Sequence, residues 1–460
     1  MLSKYNLKAV VFDDVEAEAK PLIDALNYER IPNIFINFGE DSRDDVKLKN
    51  VRLVFADIIL GNQKGGDPKA IVEAIKGSII DNIDETNGPF ILIVWSKDTD
   101  TLASVLRDRL KEENEKLNFI TLELDKNKYF EKNIDTNEWR LQVDKTFEDI
   151  KHDINEQLNG LKHLPVFLEW EQDARNTISQ LLNEFIEDIA DEEKVKNTIS
   201  SAIKLTLGEK TESSTTDKIK SFYQTLNTTL ADSIENHSIP IEQHEEFLSD
   251  LNIDNIDDET KAAINRKTLF EDPIDSELKT GNIYSFKNFK DLFYGDIIKD
   301  VCGCDYENVL ESDLFRYTKK CKFFDKETGE TDTNHQKRHY EKMKDNSYPI
   351  LLEFTPSCDI ANNKYKKSRL IFGYMINSKF ACMENKSESL YITDFHFKYQ
   401  DESRGLDGNY CLAFFIKNIF AVNPDKIKEI TPMIRARKEF ATDLQHAIAN
   451  HISRIGISSL

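Results

Sequence analysis

Asp13 and Asp14 close the apolar run Lys8-Ala9-Val10-Val11-Phe12, and Asp57 closes a second, Val51-Arg52-Leu53-Val54-Phe55-Ala56. Continuous apolar runs of this kind are strands buried on both faces of a parallel α/β sheet, whose ligands bind at the carboxyl ends of the strands. Three acids are therefore expected to meet at one edge of one sheet. Carboxylates held that close repel one another, so their charge has to be managed before any of them can react. Two more polar residues stand at the ends of apolar runs: Ser96 follows Pro89 to Trp95, and Lys126 lies just beyond Asn118 to Leu124. Acids often end strands because strand ends are wet. A Ser and a Lys in matching places make wetness alone an insufficient reason.

Helix-like segments alternate with these strands. Helical periodicity fits Glu16 to Glu29, and a strand fits Asn33 to Asn37. The Gly-rich turn Gly61 to Gly66 leads into a helix from about Asp67 to Asp81, where Pro68 suits a first turn. A charged helix spans Thr99 to Lys116. Five strands with intervening helices predict a flavodoxin-like parallel sheet of order 2-1-3-4-5, with a shallow crevice at the strand ends.

In pattern these residues resemble the receiver domain of two-component response regulators. The resemblance implies a role for each position. Asp13 and Asp14 would hold Mg²⁺ together with Asp57, Asp57 would accept a phosphoryl group, and Ser96 and Lys126 would contact that group. It also implies a kinase partner, a histidine kinase or related ATPase. The chemistry accounts for the residue types, since Mg²⁺ offsets the clustered acids and the incoming phosphate, and Lys126 pairs with acyl-phosphate oxygens. A Ser96 hydrogen bond that forms only with phosphate present makes a switch. The chain departs from the family at two places. Gly39 to Asn50 is polar with little helical periodicity, and Asn127 stands where a Pro is customary, which leaves Lys128 as an alternative to Lys126.

Length and charge bound the rest. The 460 residues suit two or three domains, and a net charge of -22 argues against a mainly nucleic-acid-binding body. No apolar stretch approaches the ~20 residues a bilayer requires, and the start of the chain lacks a signal-peptide pattern. Six scattered cysteines form no disulfide framework. A cytoplasmic protein is expected. Abundant Asn, Lys, Ile and Asp suit a bacterial source.

The predicted organisation is a receiver-like domain over 1–133, a helical bundle or connector over 134–278, and an α+β output domain over 279–460. In the connector Ile178, Leu181, Leu182, Phe185 and Ile189 repeat at three-and-four spacing, which suits a core face or self-association. A softer boundary lies in the acidic stretch Asp250 to Glu259. Beyond Lys279, strands are expected at Gly281 to Phe286, Ile350 to Phe354, Leu370 to Ile376, Leu390 to Phe397 and Tyr410 to Phe415, closed by a basic helix over Thr431 to Ile455. The runs Glu353 to Ile360 and His451 to Gly456 resemble segments of uncharacterised bacterial response-receiver proteins. Those are encoded near predicted kinases, some in phage-defence neighbourhoods.

Candidate chemistry in the C-terminal part is thinner. Cys302, Cys304 and Cys321 could bind zinc with His335 or His339, yet one residue between the first two thiols is too tight for a zinc ribbon. His335 and His339 share a helical face that reads as solvated. Cys358 beside Asp359 could pair a nucleophile with an acid, and Arg454 lies in the basic closing helix. Three functions follow. One is a phosphorylated switch that controls the C-terminal domain. A second is a gated effector hydrolase or nuclease with its site near Cys358. The third is a pseudo-receiver scaffold that binds a partner without phosphorylation.

Overall fold

The computed structural model describes residues 7–37, 47–57, 68–96, 102–114, 116–133, 139–161, 163–186, 188–207, 214–236, 245–287, 331–361, 366–381 and 390–454. The chain divides into two compact units, Met1–Leu251 and Asn252–Leu460.

In the first unit the apolar runs become β1 (Ala9–Asp13), β2 (Asn33–Asn37), β3 (Leu53–Ala56), β4 (Phe90–Ser96) and β5 (Phe119–Asp125). They pair in parallel in the order β2-β1-β3-β4-β5, the flavodoxin-like topology. The helices α1 (Glu16–Tyr28), α2 (Pro68–Asn82) and α3 (Leu102–Glu113) fall where periodicity places them. Among the described residues no helix separates β2 from β3; residues 38–46 lie outside the description.

Both faces of the sheet are covered. Val10, Phe12, Val54, Leu92 and Val94 pack against Val72, Ile75 and Ile79 of α2 and Leu106 and Leu110 of α3. The opposite face, with Val11, Phe55, Ile93 and Trp95, packs on Leu22 and Leu26 of α1. Further along come the hairpin β6 (Phe130–Lys132) and β7 (Trp139–Leu141) and the helices α4 (Phe147–Asn159) and α5 (Leu164–Phe185). Ile150, Ile154 and Leu158 of α4 and Leu168 of α5 are buried in that same second core, so the helices covering this face run beyond residue 133. At the amino-terminal end of the strands, Arg52 clamps α5 through two bonds of 2.8 Å to Glu171. The helices α6 (Glu192–Leu207), α7 (Thr215–Glu235) and α8 (Glu245–Ser249) complete the unit. A capping box between Ser214 and Asp217 starts α7.

The second unit opens with α9 (Asp258–Leu269) and β8 (Phe270–Glu271). Next are β9 (Asn282–Ser285), α10 (Asp332–Asp345), β10 (Ser347–Glu353), α11 (Ser357–Ala361) and β11 (Ser368–Asn377). The chain continues through β12 (Leu390–Ile392), β13 (Phe397–Asp401), β14 (Leu406–Val422), α12 (Pro424–Ile427), β15 (Ile434–Ala436) and α13 (Lys438–Arg454). The strands form one antiparallel sheet of order β12-β14-β11-β10-β9-β15-β8, with β13 also on β14. Phe440, Leu444 and Ile448 of α13 cover one face, and Tyr340 and Met343 of α10 the other.

The closing helix starts later than its basic character suggested. Ile434 and Ala436 are buried while Arg435 between them is half-buried, the period-two pattern of a strand, and β15 fills the place between β9 and β8. Gly281 makes that seam possible. Its φ is +89°, and a Cβ there would lie 2.5 Å from the Ala436 carbonyl oxygen. Among the described residues no helix is long and apolar enough to cross a membrane.

Candidate functional site

The sheet register places the expected residues at one edge. Phe12 pairs with Ala56, Ala56 with Val94, and Ser96 with Asp125, so the residues ending β1, β3, β4 and β5 emerge on the same side. The backbone N–H of Asp57 donates to the Phe12 carbonyl at 3.0 Å, which fixes Asp57 beside Asp13. Asp13 in turn accepts from the Val15 N–H at 2.9 Å and so shapes the turn into α1.

Lys126 opens a single 3₁₀ turn after β5 and reaches back across the sheet. Its Nζ lies 2.8 Å from Asp57 Oδ2, 3.2 Å from Asp13 Oδ2 and 3.5 Å from Glu18 Oε2. Lys126 is wholly buried, and Asp13 and Asp57 nearly so. The Trp139 ring of the hairpin stands over the ammonium, with its centroid 5.7 Å from Nζ. Below the site Trp95 stacks on Tyr129 at 5.8 Å and meets Phe130 edge-on at 5.4 Å.

Burial and charge oppose one another here. Burial pushes the Asp13 carboxyl up to about 6; Lys126 opposes that rise, and the Asp57 carboxylate adds to it. Burial likewise pulls the Lys126 ammonium down, but the carboxylates of Asp57 and Asp13 more than offset it, and its pKa is raised. Lys126 therefore stays charged, and Asp13 takes up a proton more readily than an ordinary carboxylate.

The structure brings Asp13, Asp57 and Lys126 together. Asp14, half-buried, follows directly in the chain. Ser96 has its backbone at the end of β4, and its side chain lies outside the description. Lys128 is not a substitute for Lys126: it is exposed, and it pairs with Asp153 of α4, which also accepts from the Tyr129 hydroxyl. Glu18 and Trp139 are site residues that sequence reading missed. An acid in the first turn of a helix reads as an ordinary dipole partner. A Trp in a short hairpin carries no signal at all.

Carboxylate oxygens are hard donors of the kind a divalent cation takes, and Asp13, Asp14 and Asp57 are the residues at this edge that could hold one. Among the described residues, His152, Asp153 and Glu156 of α4 are the group whose ligand atoms lie close enough together to share an ion, but they sit on a mostly exposed helix face, and Asp153 is already engaged.

In the second unit, Asp359 sits half-buried on α11. The side chains of Cys358 on α11 and Arg454 at the end of α13 lie outside the description, as do Cys302, Cys304 and Cys321. His339 is buried, 4.0 Å ring to ring from His335, so that face of α10 is not the solvated one its charge suggested. No protein-family model, no curated protein and no solved structure matches this chain.

Proposed function

We propose that this chain is a response-regulator-like signalling protein, phosphorylated on Asp57 by a partner kinase, whose first unit switches the second. One observation carries the reading. A fully buried lysine, Lys126, is paired with Asp57 and Asp13 at the carboxyl edge of a parallel 2-1-3-4-5 sheet.

In this reading an Asp57 carboxylate oxygen attacks the donor phosphorus. An O–P bond forms as the bond to the donor breaks, and the donor leaves with that electron pair. Lys126 is already against Asp57 Oδ2 and can pair with the phosphoryl oxygens as they arrive. Asp13, Asp14 and Asp57 would hold Mg²⁺, which offsets phosphate and carboxylate charge when bound. Water attack on the acyl phosphate returns the carboxylate and releases phosphate. Ser96, whose backbone ends β4, would sense the new group in this reading. Resemblance of the C-terminal segments suggests a role in bacterial phage defence.

Self-association through the helices is part of the proposal. Phe167 and Trp170 on α5 are each 65 % exposed, and Ile178 and Leu182 continue the same apolar stripe. Light scattering on the full chain tests this, and a monomer at high concentration rejects it.

A second reading, the pseudo-receiver scaffold, is favoured by the closure of the site, since Asp57 is 2 % exposed beneath Lys126. The deciding experiment is incubation of the full chain with Mg²⁺ and acetyl phosphate, or a beryllofluoride mimic, beside Asp57→Asn. A phosphoryl mass gain or mimic-dependent stabilisation in the wild type, lost in the variant, supports the switch. No response in the wild type to these donors or to a cognate kinase favours the scaffold.

A further inference from the structure

Lys126 has more carboxylates than one ammonium can neutralise. Asp57, Asp13 and Glu18 all reach its Nζ, at 2.8, 3.2 and 3.5 Å. Glu18 differs from the other two. It comes from the first turn of α1, where its N–H bonds to the Val15 carbonyl, and not from a strand end. Its side chain is 13 % exposed, against 2 % for Asp13 and Asp57.

This arrangement sets up a competition. Asp13 is both a partner of Lys126 and a holder of the divalent cation in the reading above. If a cation drew oxygens from both Asp13 and Asp57, the Lys126 ammonium would share its two closest partners with a second positive charge in a buried site, which is costly. Glu18 supplies another seat. It also adds a negative charge beside the site and so raises its attraction for a cation.

We infer that Glu18 is a positioning residue of this site, sharing the Lys126 ammonium so that the oxygens of Asp13 can be given to a divalent cation. The inference rests on the reading of Asp13, Asp14 and Asp57 as a Mg²⁺-dependent phosphoacceptor site. It assigns to Glu18 no contact with the phosphoryl group.

The test is calorimetric titration of Mg²⁺ into the full chain as wild type, Glu18→Gln and Glu16→Gln. Glu16 is an exposed acid on the same turn of α1 and controls for diffuse surface charge. Expected is about a tenfold weaker Mg²⁺ affinity in Glu18→Gln and less than a twofold change in Glu16→Gln. Equal losses in the two variants, or no loss in Glu18→Gln, would overturn the inference while leaving the phosphoacceptor reading intact. A wild type that binds no Mg²⁺ overturns that reading and this inference with it. Should Glu18→Gln lose its cooperative melting transition, Glu18→Asp replaces it, with about a threefold loss expected and an unchanged affinity counting against the role.

Discussion

Lys126 and Asp57 form a buried ion pair, with Nζ and Oδ2 2.8 Å apart and side chains 0 % and 2 % exposed. The two residues are 69 positions apart in the chain, and the pair closes the carboxyl edge of the sheet across β4. A lysine this deep is held by its carboxylates, and they by it.

Replacing Lys126 by Met would leave Asp13 and Asp57 buried together without a counter-charge. Breaking a buried pair from one side costs about 3–5 kcal/mol. The loss should be larger at pH 7.5 than at pH 5, because protonating Asp13 at the lower pH relieves the repulsion. Urea unfolding of the two proteins at both pH values measures this, and equal losses would contradict it.

Asp13 makes its own pH dependence. Its folded pKa, about 6, lies above the ordinary 3.8. The folded state thus keeps a proton that the unfolded chain releases, so stability is fullest below about pH 4 and falls as pH rises through 6. The full fall for such a shift is roughly 3 kcal/mol. Asp13→Asn should flatten that slope and be the more stable protein at pH 7.5 in the absence of divalent cations. Melting temperatures from pH 4 to 8 decide the point, and parallel curves would refute it.

Arg52 binds α5 to the opposite end of the strands. It holds Glu171 with two bonds and donates to the carbonyls of Val51 and Asn87 at 2.9 and 2.8 Å. Arg52→Ala should cost about 2 kcal/mol, the scale of a partly buried charge-assisted pair. Hydrogen exchange is expected to rise in α5 more than in β4 or β5. Uniform acceleration throughout the unit would mean that the clamp is not local.

Glu353, at the end of β10, is wholly buried, and its Oε1 accepts from the Thr355 N–H at 2.9 Å. Oε2 has no hydrogen-bond partner among the described residues. Burial pushes its pKa up from the ordinary 4.5, against the hydrogen bonds from Thr355. Its contribution is therefore complete below about pH 4.5 and declines as pH rises from there through the folded value. Glu353→Gln should remove that decline from the second unit's unfolding. Differential scanning calorimetry between pH 4 and 8 would show it, and a variant that keeps the wild-type slope would disprove it.

Much of the first unit was legible in the chain. Val10-Val11-Phe12 and Leu53-Val54-Phe55 read as buried strands because both faces of the sheet are covered, so no polar residue interrupts them. Asp13, Asp14, Asp57, Ser96 and Lys126 could be placed at one edge because a parallel sheet sends every strand's carboxyl end the same way. Local pattern suffices for that, and it suffices equally for the apolar spacing of Ile178, Leu181, Leu182 and Phe185 in α5.

What the tertiary structure decided depends on contacts between distant segments, which local pattern does not record. Glu18 reaches Lys126 from 108 positions away, and Trp139 covers the ammonium because a hairpin folds back over the end of β5. Ile150, Ile154 and Leu158 advertise an apolar stripe, but that it packs on the sheet is settled by the room α1 leaves on that face. Ile434 to Ala436 is too short to announce itself as a strand against a helical neighbour and becomes one because β9 offers it an open edge. Residue type and spacing were enough to nominate the acids. How far they are buried, and which lysine neutralises them, was fixed by packing.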